Sequence, residues 1–254
     1  MKPFFNRAFL YSVFIICMVF FWFLIFLDKL SILINGVEAR QNRTKHDTYN
    51  LEYIKYKDKK RHILDFDLDT NFSITKFVDN KICFNYKKHI PQNLQKISSD
   101  FVIDNKWNSQ LLRKKANIAL KELAKEFYKE FWKKVIVISA YRSYKYQKWI
   151  KNRWCPDNLC AKAWYSEHQS WLAVDLFEVS TNNVWKTNSK LMKYYRWLWD
   201  NAHRYGFHNT YQKWVKIDWY EIEPWHWRYM WIKLASYLKD NDITFAQYYY
   251  DWEK

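Results

Sequence analysis

The apolar positions of this chain fall into one long run and many short ones. From Ala8 to Leu27 the sequence "AFLYSVFIICMVFFWFLIFL" holds twenty residues without a charge, preceded by Lys2 and Arg7. That length crosses a hydrocarbon layer as a helix, and the leading positive charges favour a cytoplasmic N-terminus. "VEA" at Val37–Ala39 also offers the small residues a signal peptidase accepts, so an uncleaved anchor and a cleaved signal are both readings of residues 1–39, with a buried helix as a third. The first two carry the rest of the chain out of the cytoplasm. Residues 40–80 begin polar, basic and tyrosine-dotted, and read as a tether with a short extension.

Beyond the tether the periodicity changes. "HILDFDLD" (62–69) and "KICFNYK" (81–87) have the short apolar alternation of strands, and Pro91 then interrupts the pattern. "LLRKKANIALKELAKEFYKEF", Leu111–Phe131, carries apolar residues at helical spacing. Val135–Ser139, "VIVIS", has the β-branched density of a buried strand, and "LAVDLF" at Leu172 reads as a strand after a turn. A second helix is predicted over "NSKLMKYYRWLWDNAHRY", and "RYMWIKLASYLKD" is helical in its later half. The order predicts an α+β fold over 81–254, a compact single domain with a small antiparallel sheet flanked by helices.

Composition adds two constraints. The formal net charge of +16 draws the chain toward polyanions such as an acidic cell-wall polymer, anionic lipid or nucleic acid, unless the lysines merely solvate the surface. The basic residues are dispersed and no specific nucleic-acid motif accompanies them. Cys155 and Cys160 enclose "PDNL" and would close a local disulfide in an oxidising compartment, two free thiols being the alternative.

Three stretches concentrate reactive groups: "SAYRSYKYQ" from Ser139, "SEHQSWLAVDLF" from Ser166 and "EIEPWHWRY" from Glu221. Zinc takes imidazole nitrogen and carboxylate oxygen in a tetrahedron with one corner open in catalytic sites. His168, Asp175 and His226 would supply three ligands, Glu223 would take a proton from water, and Arg142 would hold a carboxylate or a developing oxyanion. Spacing alone leaves another reading open, in which His168 is a surface histidine, Asp175 a cap, and Arg142 the partner of an acidic neighbour.

These stretches resemble the signature of the VanY-type D-alanyl-D-alanine carboxypeptidases and their L,D-carboxypeptidase relatives, zinc peptidases of peptidoglycan stem peptides. The family's Ser-x-His-x-x-Gly-x-Ala-x-Asp falls on Ser166, His168, Trp171, Ala173 and Asp175, and its Glu-x-x-His on Glu223 and His226. The resemblance implies a Zn2+ ion on His168, Asp175 and His226, with Glu223 as catalytic base. It implies Arg142 at the substrate or oxyanion, and Ser143, Gln147, Ser166 and Trp225 beside the stem peptide. It further implies removal of the terminal D-alanine, with L,D-trimming of tetrapeptide stems as the alternative. A non-catalytic wall-binding module is the rival class, motivated by the indoles of Trp164 and Trp171 beside the first motif, and a nucleic-acid binder is a weaker one. The complete set His168, Asp175, Glu223 and His226 speaks against lost chemistry.

One departure from the family is systematic. Trp171 stands where the family turn has glycine, and Trp164, Trp214, Trp219 and Trp231 occupy comparable places. Average usage predicts about 18 glycines in a chain of this length, whereas this one has 2 glycines and 16 tryptophans. The reciprocal shortage and surplus suggest UGA codons that encode glycine, as in some bacterial lineages, rendered as tryptophan. Trp225 and Trp227 match family tryptophans and are exempt.

Overall fold

A computed structural model describes residues 66–85, 90–91, 93–106, 109–177 and 184–252. The apolar run at 8–27 and most of the tether therefore lie outside the described residues, among which no helix is long and apolar enough to cross a membrane.

The elements come in the order β1 (Leu94–Lys96), β2 (Val102–Asp104), β3 (Leu111–Arg113), α1 (Lys114–Phe131), β4 (Val135–Ser139), α2 (Tyr144–Asn152), β5 (Ala173–Leu176), α3 (Val184–Thr187), α4 (Ser189–Asn201), β6 (Phe207–His208), α5 (Val215–Asp218), β7 (His226–Tyr229), α6 (Trp231–Asp240) and α7 (Phe245–Trp252). Five strands form one sheet in the order β2-β4-β5-β7-β6, and β1 pairs separately with β3. The expected α+β class holds, but the main sheet is mixed rather than antiparallel. Its edge strand β2 runs parallel to β4, because α1 lies between them in sequence and returns the chain to the same end of the sheet. Leu111–Arg113, read as the start of the helix, instead pairs with Leu94–Lys96, and α1 begins at Lys114.

Helix α1 buries Ala116, Leu120, Leu123, Ala124 and Phe127, a stripe at helical spacing. These pack with Val135 and Val137 of β4, Val174 and Leu176 of β5, and Leu198 of α4 in the main core. Each fully buried Leu or Phe contributes about 1.5–3 kcal/mol relative to exposure, so this core holds the middle of the sheet rigid.

A second cluster joins Leu68 and Phe77 to Met230, Leu234, Leu238 and Phe245, so the packed body includes residues upstream of Lys81. The strands expected at "HILDFDLD" and "KICFNYK" do not form in their described parts. Asp67 Oδ1 accepts from the Thr70 amide at 2.8 Å, and Asp79 Oδ1 accepts from the amides of Lys81 and Ile82, both at 2.7 Å. Aspartate side chains thus take the amides that a strand ladder would need.

Nine described non-glycine residues have positive φ, and six of them are tryptophans: Trp132 (52°), Trp154 (62°), Trp164 (78°), Trp171 (58°), Trp219 (65°) and Trp231 (69°). The left-handed region costs a residue with a Cβ roughly 1–2 kcal/mol, and glycine occupies it freely. Trp132 sits at the end of α1 with its amide bonded to Tyr128 O at 2.8 Å, where helices commonly place glycine. The backbone therefore supports glycine at four of the five positions noted from sequence and adds Trp132 and Trp154. It does not single out Trp214, whose φ of 165° is ordinary extended backbone. Trp132 and Trp154 are 76% and 96% exposed, so neither has core packing to lose. Trp132→Gly and Trp154→Gly are each expected to stabilise the chain by about 1 kcal/mol, read as a rise in melting temperature, while Trp214→Gly gives no such gain. Intact-mass analysis of the protein from its native cell is expected to find glycine at residue 171.

Candidate metal centre

The sheet brings the first two ligand candidates together. In the β5–β7 ladder Asp175 lies directly opposite His226, and across β4–β5 Ser139 lies opposite Asp175. His168 arrives from outside the sheet, on the 3₁₀ turn Glu167–Ser170 that precedes β5. Two bonds tie that turn to the end of β4: the Arg142 amide donates to His168 O at 3.3 Å, and His168 Nδ1 donates to Ala140 O at 2.6 Å.

Asp175 Oδ1 is then 3.2 Å from His168 Nε2 and 3.0 Å from His226 Nδ1. One ligand atom from each of the three residues lies within 4.8 Å of the other two, and all three side chains are buried. With its proton on Nδ1 and given to Ala140, His168 turns an Nε2 lone pair toward a carboxylate oxygen. Two acceptors at that separation repel unless a cation lies among them. On its other side Asp175 Oδ2 accepts from Arg142 Nη2, and Arg142 Nε donates to Ser139 Oγ at 3.0 Å.

The protonation states agree with a ligand set. Burial, reinforced by the Arg142 charge, pushes His168 down to about 4 and keeps it neutral. Burial alone would raise Asp175, but its interactions with His168, Arg142 and His226 together hold it well below the usual carboxylate range. Burial opposes the charge on His226 too, yet its hydrogen bonds to Asp175 and Glu167 lift it to about 9. Glu223, half-buried on the approach to β7, is raised to about 7 by burial and by the Asp175 charge, against the lowering effect of His226 and Arg142. Two imidazoles and a carboxylate converging in this way fit a divalent ion of the zinc type.

Residues 109–232 match the VanY family, D-alanyl-D-alanine carboxypeptidase. They form a VanY-type domain. The fold is similar to that of the LdcB LD-carboxypeptidase, with a TM-score of 0.60 and 28% identity over 74% of this chain and 92% of that one. It is also similar to VanYB, solved in complex with D-alanine-D-alanine, with a TM-score of 0.53 and 23% identity over 70% of this chain and 97% of that one. No curated protein matches the chain in sequence. The match and the fold support a hydrolase of the carboxypeptidase type.

The other residues expected at the VanY-type site are engaged within the protein. Ser143 caps α2, accepting from the Tyr146 amide at 3.2 Å, and buried Gln147 donates to Ala161 O at 2.8 Å. Ser166 is buried at the head of the 3₁₀ turn, where its carbonyl accepts from the Gln169 amide at 3.0 Å. Trp225 lies in the main core and makes a side-chain hydrogen bond to Glu223 that favours the carboxylate. Sequence reasoning missed Glu167, fully buried with Oε2 2.8 Å from His226 Nε2, and Tyr211, stacked on the His226 ring at 4.7 Å. Cys155 and Cys160 are joined as a disulfide.

The elevated His226 gives metal binding a pH signature. Its folded value of about 9 exceeds the ordinary 6.5, so its stabilising contribution to the metal-free protein is complete below about pH 6.5 and is lost as pH rises through 9. A metal on Nδ1 displaces that proton. Zinc binding at about pH 7.5 is expected to release about one proton from His226, with apparent affinity rising up to tenfold per pH unit toward pH 9. Titration calorimetry in buffers of different ionisation enthalpy measures the release, and binding with no proton release would contradict the assignment.

Proposed function

We propose that this protein is a zinc-dependent carboxypeptidase that removes the terminal D-alanine from peptidoglycan stem peptides. The observation that carries the reading is Asp175 Oδ1 shared between two imidazole nitrogens, beside a Glu223 carboxyl raised to about 7. His168, Asp175 and His226 would hold the zinc ion, which would supply a Lewis acid for the scissile carbonyl and for water. Glu223, close to neutral in its proton affinity, accepts the proton of the attacking water and returns it to the leaving amine. Arg142, partly exposed and fixed by Ser139 and Asp175, presents a guanidinium to the terminal carboxylate or the developing oxyanion.

Two further features support an extracytoplasmic setting. The uncharged run Ala8–Leu27 behind Lys2 and Arg7 suits a membrane anchor, or a signal that is cleaved, and the Cys155–Cys160 disulfide suits an oxidising compartment. A net charge of +16 suits residence against an acidic wall.

The similarity to the LdcB LD-carboxypeptidase favours a second reading, trimming of tetrapeptide stems between the third residue and the D-alanine. Mass spectrometry of products from defined stems separates them: loss of one alanine from the pentapeptide alone is the expected result, and exclusive trimming of the tetrapeptide would transfer the assignment to L,D. Glu223→Gln is expected to keep the metal while turnover falls about 10²–10⁴-fold. Full activity in that variant, or activity that survives complete removal of metal by a chelator, would overturn the mechanism.

A further inference from the structure

The His226 ring is gripped at both nitrogens, and only one grip belongs to the ligand set. Nδ1 faces Asp175 Oδ1 at 3.0 Å, and on the opposite edge Nε2 donates to Glu167 Oε2 at 2.8 Å. The same Glu167 oxygen accepts from Thr210 Oγ at 2.7 Å. Glu167 is 2% exposed and Thr210 4%, so water does not compete for either bond. The backbone around the carboxylate is also tied down: Ser170 Oγ donates to Glu167 O, and fully buried Arg228 donates to Ser170 Oγ at 2.6 Å and to Ile74 O at 3.1 Å.

Glu167 Oε2, already accepting from Thr210, sits at donor distance from His226 Nε2, and an imidazole that donates there keeps its lone pair on Nδ1. His168 receives the same treatment from a main-chain carbonyl, Ala140 O, but with the nitrogens exchanged. The two histidines therefore need different partners to aim opposite ring atoms at one point.

We infer that Glu167, held by Thr210, is the positioning residue that fixes His226 with Nδ1 toward the metal and Nε2–H toward the protein. The inference rests on His226 being a metal ligand, as proposed above. Glu167 is not one of the three ligand candidates; it acts through the imidazole, and partners of this kind typically govern metal affinity 10–100-fold.

The test measures Zn2+ affinity of the full chain by competition with a chromophoric chelator, beside the melting temperature of the metal-free protein. Glu167→Ala is expected to weaken Zn2+ binding about 10–100-fold. Thr210→Val, which removes only the hydroxyl, is expected to weaken it in the same direction by less, and Glu167→Asp to recover part of the loss. In zinc-loaded protein with 15N-labelled histidine, an Nε2–H resonance of His226 protected from solvent exchange is expected, and it is lost in Glu167→Ala. If Glu167→Ala does not fold, Thr210→Val and Glu167→Gln carry the same comparison. Lower melting temperatures with Zn2+ affinity and the Nε2–H signal unchanged would overturn the assignment and leave Glu167 a structural residue only. A parent chain that binds no Zn2+ would instead overturn the metal reading itself, and this inference with it.

Discussion

Everything in the site turns on a single carboxylate oxygen. Asp175 Oδ1 has an imidazole nitrogen on either side, at 3.2 and 3.0 Å, in a volume closed to solvent. Three electron-rich atoms converge there, and such a grouping is stable only with positive charge among them. The metal-free chain supplies part of it through the raised proton affinity of His226 and through Arg142 on the second oxygen of Asp175. A metal ion at this point would take the place of that proton. That is why the arrangement reads as a ligand set rather than as an ordinary buried ion pair, and why the sheet beneath it must be rigid: the β5–β7 register places Asp175 opposite His226. A slip of one residue would send one of them to the other face.

The catalytic reading depends on the contrast between two carboxyls near that point. Asp175 is held ionised by its interactions with Arg142 and the two imidazoles, whereas Glu223 is raised to about 7 by burial and by Asp175 itself. A ligand must be an anion and a proton shuttle must be able to hold a proton, so the environments divide the roles. Trp225, which the resemblance places beside the substrate, packs in the core and makes a side-chain bond to Glu223 that favours its carboxylate.

His168, Asp175, Glu223 and His226 were legible because their motifs are local: a turn leading into a strand, and a Glu-x-x-His entering another. Val135–Ser139 and the helix ending at Phe131 were legible for the same reason, since periodicity is a short-range signal. The parallel β2–β4 pair was not, because three-residue strands carry almost no pattern and their partners lie far away in sequence. Glu167 was hidden by the turn that carries it. On a 3₁₀ helix of about three residues per turn, neighbours point some 120° apart, so Glu167 and His168 reach opposite sides of the same centre, which adjacency in "SEH" does not reveal. The tryptophan surplus was visible in composition, but only the backbone identifies which positions matter: Trp171 closes the His168 turn at φ 58°, while Trp214 is extended. The turn that aims a metal ligand is thus also a place where a side chain is least welcome.

One cation is expected at the point where His168 Nε2, Asp175 and His226 Nδ1 converge. Anomalous diffraction at the zinc absorption edge from zinc-soaked crystals tests it without reference to activity. One strong peak is expected at that point, at about 2.0–2.1 Å from both named nitrogens, with Glu167 still bonded to His226 Nε2. A peak coordinated through His226 Nε2, or no zinc at these three residues, would contradict it.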